Sequence, residues 1–130
     1  MKKLMTGILG LTLSGFGLGA SAFAEEMAGE KLRSLVTDKR IYLSVPLGGE
    51  FPLNYKSSGM VTGDGSALGL GRFFAPKETG RWWVKGDNLC QQWPTWYGGK
   101  PTCFRISKTG ATSIRWVRDD GYSGKARIEG

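Results

Sequence analysis

From about residue 38 onward, apolar and polar residues alternate in short runs, and each run ends in turn-forming residues. In SIRWVR, Ile114 and Trp116 share one face while Arg115 takes the other. Phe104 and Ile106 oppose Cys103 and Arg105 in the same way, and Ala126 and Ile128 oppose Lys125 and Arg127. A period of two, with one wet and one dry face, describes antiparallel strands curling around one core. Between the runs stand Gly48-Gly49, Ser58-Gly59, Gly63-Asp64-Gly65, Gly86-Asp87-Asn88, Gly98-Gly99, Lys108-Thr109-Gly110 and Asp119-Asp120-Gly121, the residues of consecutive tight hairpins. The pattern predicts strands over 41–45, 50–55, 59–62, 80–85, 89–93, 102–107, 113–118 and 124–128. Seven to eight short strands in this length predict a mostly β fold. The expected form is a small antiparallel β-barrel or a strongly bent sheet, since closure removes exposed edges.

Ahead of the strands the period changes. Leu32, Leu35 and Val36 follow the spacing of three and four that makes one short amphipathic helix face, within residues 26–36. The stretch SALGLGRFFAPK, residues 66–77, is the least regular part of the chain and predicts a long connection or a bulged strand. At the N-terminus Lys2 and Lys3 precede an apolar run over 4–19, and Ala22-Phe23-Ala24 comes just before Glu25-Glu26. That order predicts a secretory signal peptide over 1–24 with an A-x-A cleavage site. The run is short and glycine-bearing for a bilayer span, so no membrane anchor is expected after cleavage. The expected organisation is thus a signal peptide over 1–24, a helical lead-in over 25–37 and a single β domain over 38–130.

Charge changes this picture little. The chain carries a formal +7, two of which leave with the signal peptide. It holds no basic run longer than Lys39-Arg40, so the sequence shows no dense basic patch. Export argues against nucleic acid as a partner, while anionic surfaces outside the cytoplasm remain compatible. Two cysteines in an exported chain predict one structural disulfide, Cys90 to Cys103, in a compartment outside the cytoplasm, the periplasm by default.

Aromatic residues concentrate in GRWWVKGDNLCQQWPTWYGGKPTCF, residues 80–104, which holds four of the five tryptophans and both cysteines. Gly86-Asp87-Asn88 closes a hairpin there, so one of Trp82 and Trp83 faces the core and the other the surface, and spacing leaves open which. Trp116, on an alternating strand, is expected in the core. Leu89, Gln91 and Trp93 share one face of the next strand. QQWPTWYGGKP then reads as a loop pinched at its base by the disulfide. Its aromatics either contact a ligand or partner or fold back over an open barrel end, and the cover is favoured because exposed tryptophan is rare without a partner. Trp93, Trp96, Tyr97 and Lys100 are the candidate contact residues.

Several chemistries lack their residues. The chain contains no histidine, which general acid–base and triad catalysis usually recruit. The carboxylates Asp64, Glu78, Asp87, Asp119 and Asp120 fall mostly in turns beside glycine, where they hydrogen-bond backbone amides. The Gly63-Asp64-Gly65 and Asp119-Asp120-Gly121 turns lack the further oxygen ligands of a calcium loop, and Gly69-Leu70-Gly71 is no phosphate loop. A non-enzymatic protein without metal or cofactor is expected.

YLSVPLGGEFPLNYKSSGMVTGDG, ETGRWWVKGDNLCQQW, Cys103-Phe104 and WVRDDGYSGKARI together resemble a family of small exported proteins of Gram-negative bacteria. That pattern runs from Ile41 to Ile128: a Gly-x-Trp strand, a Cys-x-x-Trp strand, a second cysteine and a Gly-x-Ala-x-Ile strand. The resemblance implies export and a fold and carries over no functional residues. GRWW also resembles the Gly-x-Trp of lipocalin and avidin-like barrels, although there the motif sits on the first strand and here it falls mid-chain. Tyr122-Ser123-Gly124-Lys125 is similar to the Ser-Gly loop of periplasmic lysozyme inhibitors.

The expected function is therefore a periplasmic binding module for a small apolar or sugar-like ligand. The alternative is a monomeric protein-interaction domain or inhibitor that docks on a cell-envelope enzyme through the 93–97 or 122–125 loop. A ligand binder needs small inward residues such as Ala67, Gly69 and Ala126, whereas an inhibitor needs a filled core.

Overall fold

A computed structural model of the chain describes residues 24–45, 48–65 and 77–129. The expected signal peptide, apart from Ala24, lies outside these residues, as does most of the irregular stretch 66–77 with Ala67, Gly69 and Gly71. The strands are β1 (Glu25–Glu26), β2 (Lys39–Ser44), β3 (Glu50–Tyr55), β4 (Met60–Gly63), β5 (Glu78–Lys85), β6 (Asn88–Gln92), β7 (Thr102–Lys108), β8 (Ser113–Arg118) and β9 (Ser123–Glu129). One helix, α1 (Gly29–Val36), stands between β1 and β2.

Each strand from β2 to β9 pairs antiparallel with the next, and β9 returns to pair with β2. The result is a closed eight-stranded up-and-down barrel, the barrel form of the sequence expectation rather than the bent sheet. β1 is an added strand that the hydrophobic pattern did not mark. Glu25 and Glu26 pair with Lys108 and Ser107 on β7, beyond the point where β6 pairing stops at Arg105. The Met27 amide then donates to the Ile106 carbonyl. Backbone groups of residues 25–27 are thus engaged with the sheet, which is why the helix begins at Gly29 and not at residue 26.

Helix α1 closes one end of the barrel. Leu32 and Val36 have no exposed surface and join a core with Ile41, Leu53, Val61, Trp82, Leu89, Ile106, Ile114 and Ala126. The Gly29 amide bonds the Gly86 carbonyl at the β5–β6 turn, and the Asp38 amide bonds the Tyr55 carbonyl, so both ends of the helix are tied to the rim it covers. No helix among the described residues is long and apolar enough to cross a membrane.

Burial in the folded barrel settles the tryptophan pair. Trp82 is buried and its Nε1 donates to the Lys56 carbonyl at 2.8 Å, while Trp83 is half-buried on the outer face. Trp83, Cys90 and Cys103 stand in register across β5, β6 and β7, and the disulfide joins the last two directly. Trp116 is half-buried, packed against the core.

Three inward glycines make room for three indoles. A Cβ on Gly63 would meet the Trp96 ring at 2.8 Å, one on Gly80 the Trp93 ring at 3.0 Å, and one on Gly124 the Trp116 ring at 2.5 Å. Gly124 and Trp116 are direct cross-strand partners, so the bare glycine lets the ring lie along the barrel wall. Gly124→Ala is expected to lower stability by about 1–3 kcal/mol through overpacking. Chemical denaturation checks this, and an unchanged midpoint would show the ring free to move aside.

Candidate functional site

Among the described residues the open end of the barrel is framed by Val45 and Gly48-Gly49, the 93–101 loop and the 118–122 turn. Beneath it lies a cavity of about 260 Å³. Its described lining comes from β2 and β3 (Ile41, Leu43, Phe51, Leu53, Tyr55), from β6 (Leu89, Gln91) and from β7 and β8 (Phe104, Ile106, Ile114, Trp116), with Val45, Trp93, Trp96 and Tyr97 at the open end. The surface is apolar and aromatic. It follows from strands that turn an apolar or aromatic side chain inward at every second position.

The 93–101 loop is held from several directions. Glu78, at the start of β5, accepts from the Thr95 amide at 3.2 Å, from the Trp96 amide at 3.4 Å and from the Thr95 hydroxyl. Gln92 Nε2 donates to the Gly99 carbonyl at 3.0 Å, and the disulfide ties the strands below. This anchoring turns Trp96 inward, where its ring meets Phe51 edge-on at 5.4 Å and Trp93 at 4.4 Å. A tight turn over Trp96–Gly99 follows, in which Tyr97 and Gly98 take positive φ of 59° and 67°. Such a conformation is strained for tyrosine.

The four sequence candidates therefore separate. Trp93 is buried in the lining, Trp96 is half-buried in it, and Tyr97 lies across the opening with 42% of its surface exposed. Lys100 is exposed and stands apart from the described lining; its carbonyl accepts from Thr102 Oγ1 at 3.2 Å. The loop covers the barrel end and lines the space beneath it at once.

The rim beside Tyr97 carries charge. Arg118 Nε and Nη2 donate to the two oxygens of Asp120 at 3.0 and 2.8 Å, and the guanidinium lies 5.4 Å from the Tyr97 ring and 4.9 Å from the Tyr122 ring. The Arg118 bond, with the Tyr122 amide beside it, holds the Asp120 carboxyl below its ordinary range. Tyr122 is exposed and stacks tilted on Trp116 at 5.9 Å.

Sequence reasoning missed the polar centre of the cavity. Trp93 Nε1 donates to Gln91 Oε1 at 2.7 Å, and Gln91 Nε2 donates to Tyr55 Oη at 2.7 Å. All three residues are buried. The signal was present: Gln91 shares its strand face with Leu89 and Trp93, and a polar residue on an apolar face needs a partner. Burial pushes the Tyr55 hydroxyl far above the ordinary tyrosine value of 10.0. A raised folded value means that the stability the neutral phenol contributes is fully present below pH 10 and is lost as the pH rises beyond it. Wild type is expected to lose denaturant resistance more steeply than Tyr55→Phe as the pH rises above about 10. Equal slopes in denaturation series would show that Tyr55 meets solvent.

Among the described residues no group of three metal-ligating side chains occurs, and no carboxylate, lysine or arginine lines the cavity. Comparisons of the chain with protein-family models, with curated proteins and with solved structures find no match.

Proposed function

We propose that this protein is an exported, non-enzymatic binding module that holds a small apolar molecule inside its barrel. The observation that carries this reading is the apolar cavity of about 260 Å³, walled by aromatic side chains with Trp96 and Tyr97 among them. Concave apolar sites with few polar groups are where proteins hold small molecules, and the mouths of β-barrels are a common place for them. The lining favours the apolar half of the sequence expectation over a sugar, whose many hydroxyls require more acceptors than these walls offer. A periplasmic location fits the N-terminal pattern and the Cys90–Cys103 bridge, which persists in oxidising compartments. The resemblance to small exported proteins points the same way.

A second reading rests on the rim. Tyr97 and Tyr122 are exposed on either side of Arg118, and exposed tyrosine beside arginine is the composition of interaction hot spots. On that reading the rim docks on a cell-envelope protein.

The test is native mass spectrometry of the protein isolated from its host, followed by titration of naphthalene while tryptophan emission is followed. The binding module predicts an adduct of small-molecule size, and saturable quenching that disappears in a folded Leu43→Trp variant whose cavity is filled. A bare chain that naphthalene leaves unquenched removes this reading, and a co-isolated protein transfers the weight to the rim.

A further inference from the structure

The polar centre of the cavity has a direction. An indole N–H donates and cannot accept. Trp93 Nε1, in a ring 2% exposed, therefore requires the oxygen of Gln91, and this orients the amide so that its NH₂ faces Tyr55. Tyr55 Oη then receives, and the phenol keeps its own proton for onward donation. Among the described residues its hydrogen-bond partner is Gln91, so the proton is left for whatever occupies the space that Tyr55 lines. The chain of bonds runs one way, from Trp93 through Gln91 to Tyr55, each bond strengthening the next.

The rest of the lining repeats the bias. Trp116 Nε1 is a second buried donor, with no partner among the described residues. The one amide oxygen in the described walls, that of Gln91, is already taken. A ligand rich in hydroxyls would bring donors to described walls short of acceptors, and a carboxylate would meet no cation among the described lining residues to offset its lost hydration.

We infer that the cavity selects a neutral molecule with an apolar body and an accepting oxygen, such as a ketone, ester, lactone or ether, which takes the Tyr55 hydroxyl proton. This rests on the ligand-binding reading above and specifies the class of ligand. Tyr55 is the contact residue, while Gln91 and Trp93 are positioning residues that set the direction of its proton.

The test compares 2-acetylnaphthalene with 2-isopropenylnaphthalene, in which a methylene replaces the carbonyl oxygen at nearly constant shape. Affinities for both are measured in wild type and in Tyr55→Phe. The ratio favouring the ketone is expected to fall by about five- to tenfold in the variant, with the hydrocarbon little changed. An equal ratio in the two proteins overturns the inference while leaving the binding module standing. Failure of both compounds to bind wild type overturns the binding reading and this inference with it. A measurement on wild type alone guards against a variant that does not fold: the carbonyl stretch of bound 2-acetylnaphthalene is expected at lower wavenumber than in an alkane, and a stretch at the alkane position refutes the hydrogen bond.

Discussion

Trp93→Ala is expected to bring the protein to the edge of unfolding at room temperature. Truncating a buried tryptophan removes about 3–5 kcal/mol, and it strips Gln91 of the donor that satisfies its oxygen, adding about 1–3 kcal/mol. A domain of this size has about 5–15 kcal/mol in total. The ring also rests on Gly80 and against Trp96, so its loss leaves Trp96 without the neighbour that helps hold it inward. Trp93→Phe keeps most of the apolar volume and is expected to lose about 1–3 kcal/mol, chiefly through the unpaired Gln91 carbonyl. Urea denaturation of the two variants beside Trp83→Ala, on the outer face, makes the comparison. If Trp93→Ala unfolded within about 1 kcal/mol of wild type, the indole would not be the keystone of the barrel end.

Removing the disulfide is the second large effect. Cys90 and Cys103 are 13 residues apart in sequence and directly opposite on β6 and β7, so the bridge closes the whole 93–101 loop. In the chain-entropy account a loop of this length contributes about 3 kcal/mol. A double Cys90→Ala, Cys103→Ala variant is therefore expected to melt on the order of 15 °C lower. The same loop carries Trp96 and Tyr97, so its loosening is also expected to weaken naphthalene binding. Melting of the oxidised and reduced wild type side by side gives the check. Coincident curves would mean that strand pairing alone holds β6 to β7.

Much of this barrel was legible in the chain. The strands over 50–55 and 113–118 match in full, and the other six differ by one or two residues at their ends. Alternation marks a strand wherever one face is wet and the other dry, and glycine-bearing turns bound it. The pairing of the two cysteines needed only their number and the expectation of export. The added strand β1 was not legible, because a two-residue strand of glutamates carries no periodicity. Its partner edge on β7 exists only after β6 has ended.

The site was half legible. The composition of the loop nominated Trp93, Trp96 and Tyr97, and the structure sets all three around one space. It could not show that Glu78 pins the loop from β5, nor that Tyr55 reaches Gln91 across 36 residues of chain. Charge shows the same limit. Arg105, Arg115 and Lys125 are ten residues apart and form no run, yet each hairpin returns the chain beside itself. Arg115 faces Lys125 directly and Arg105 stands one strand away on the same outer face. No basic patch was visible along the chain, whereas the folded barrel gathers three cations on one wall.

By itself, then, the sequence determined the eight barrel strands, the helix before them, the disulfide and the alternation of faces along the strands, because these follow from local periodicity, turn chemistry and the count of cysteines. Only the tertiary structure decided closure into a barrel, the burial of Trp82 over Trp83, the inward turn of Trp96 and the one-way chain from Trp93 to Tyr55. Each of these depends on which residues meet across strands, and that is set by register and by the room three glycines leave for three indoles, quantities that no local stretch contains.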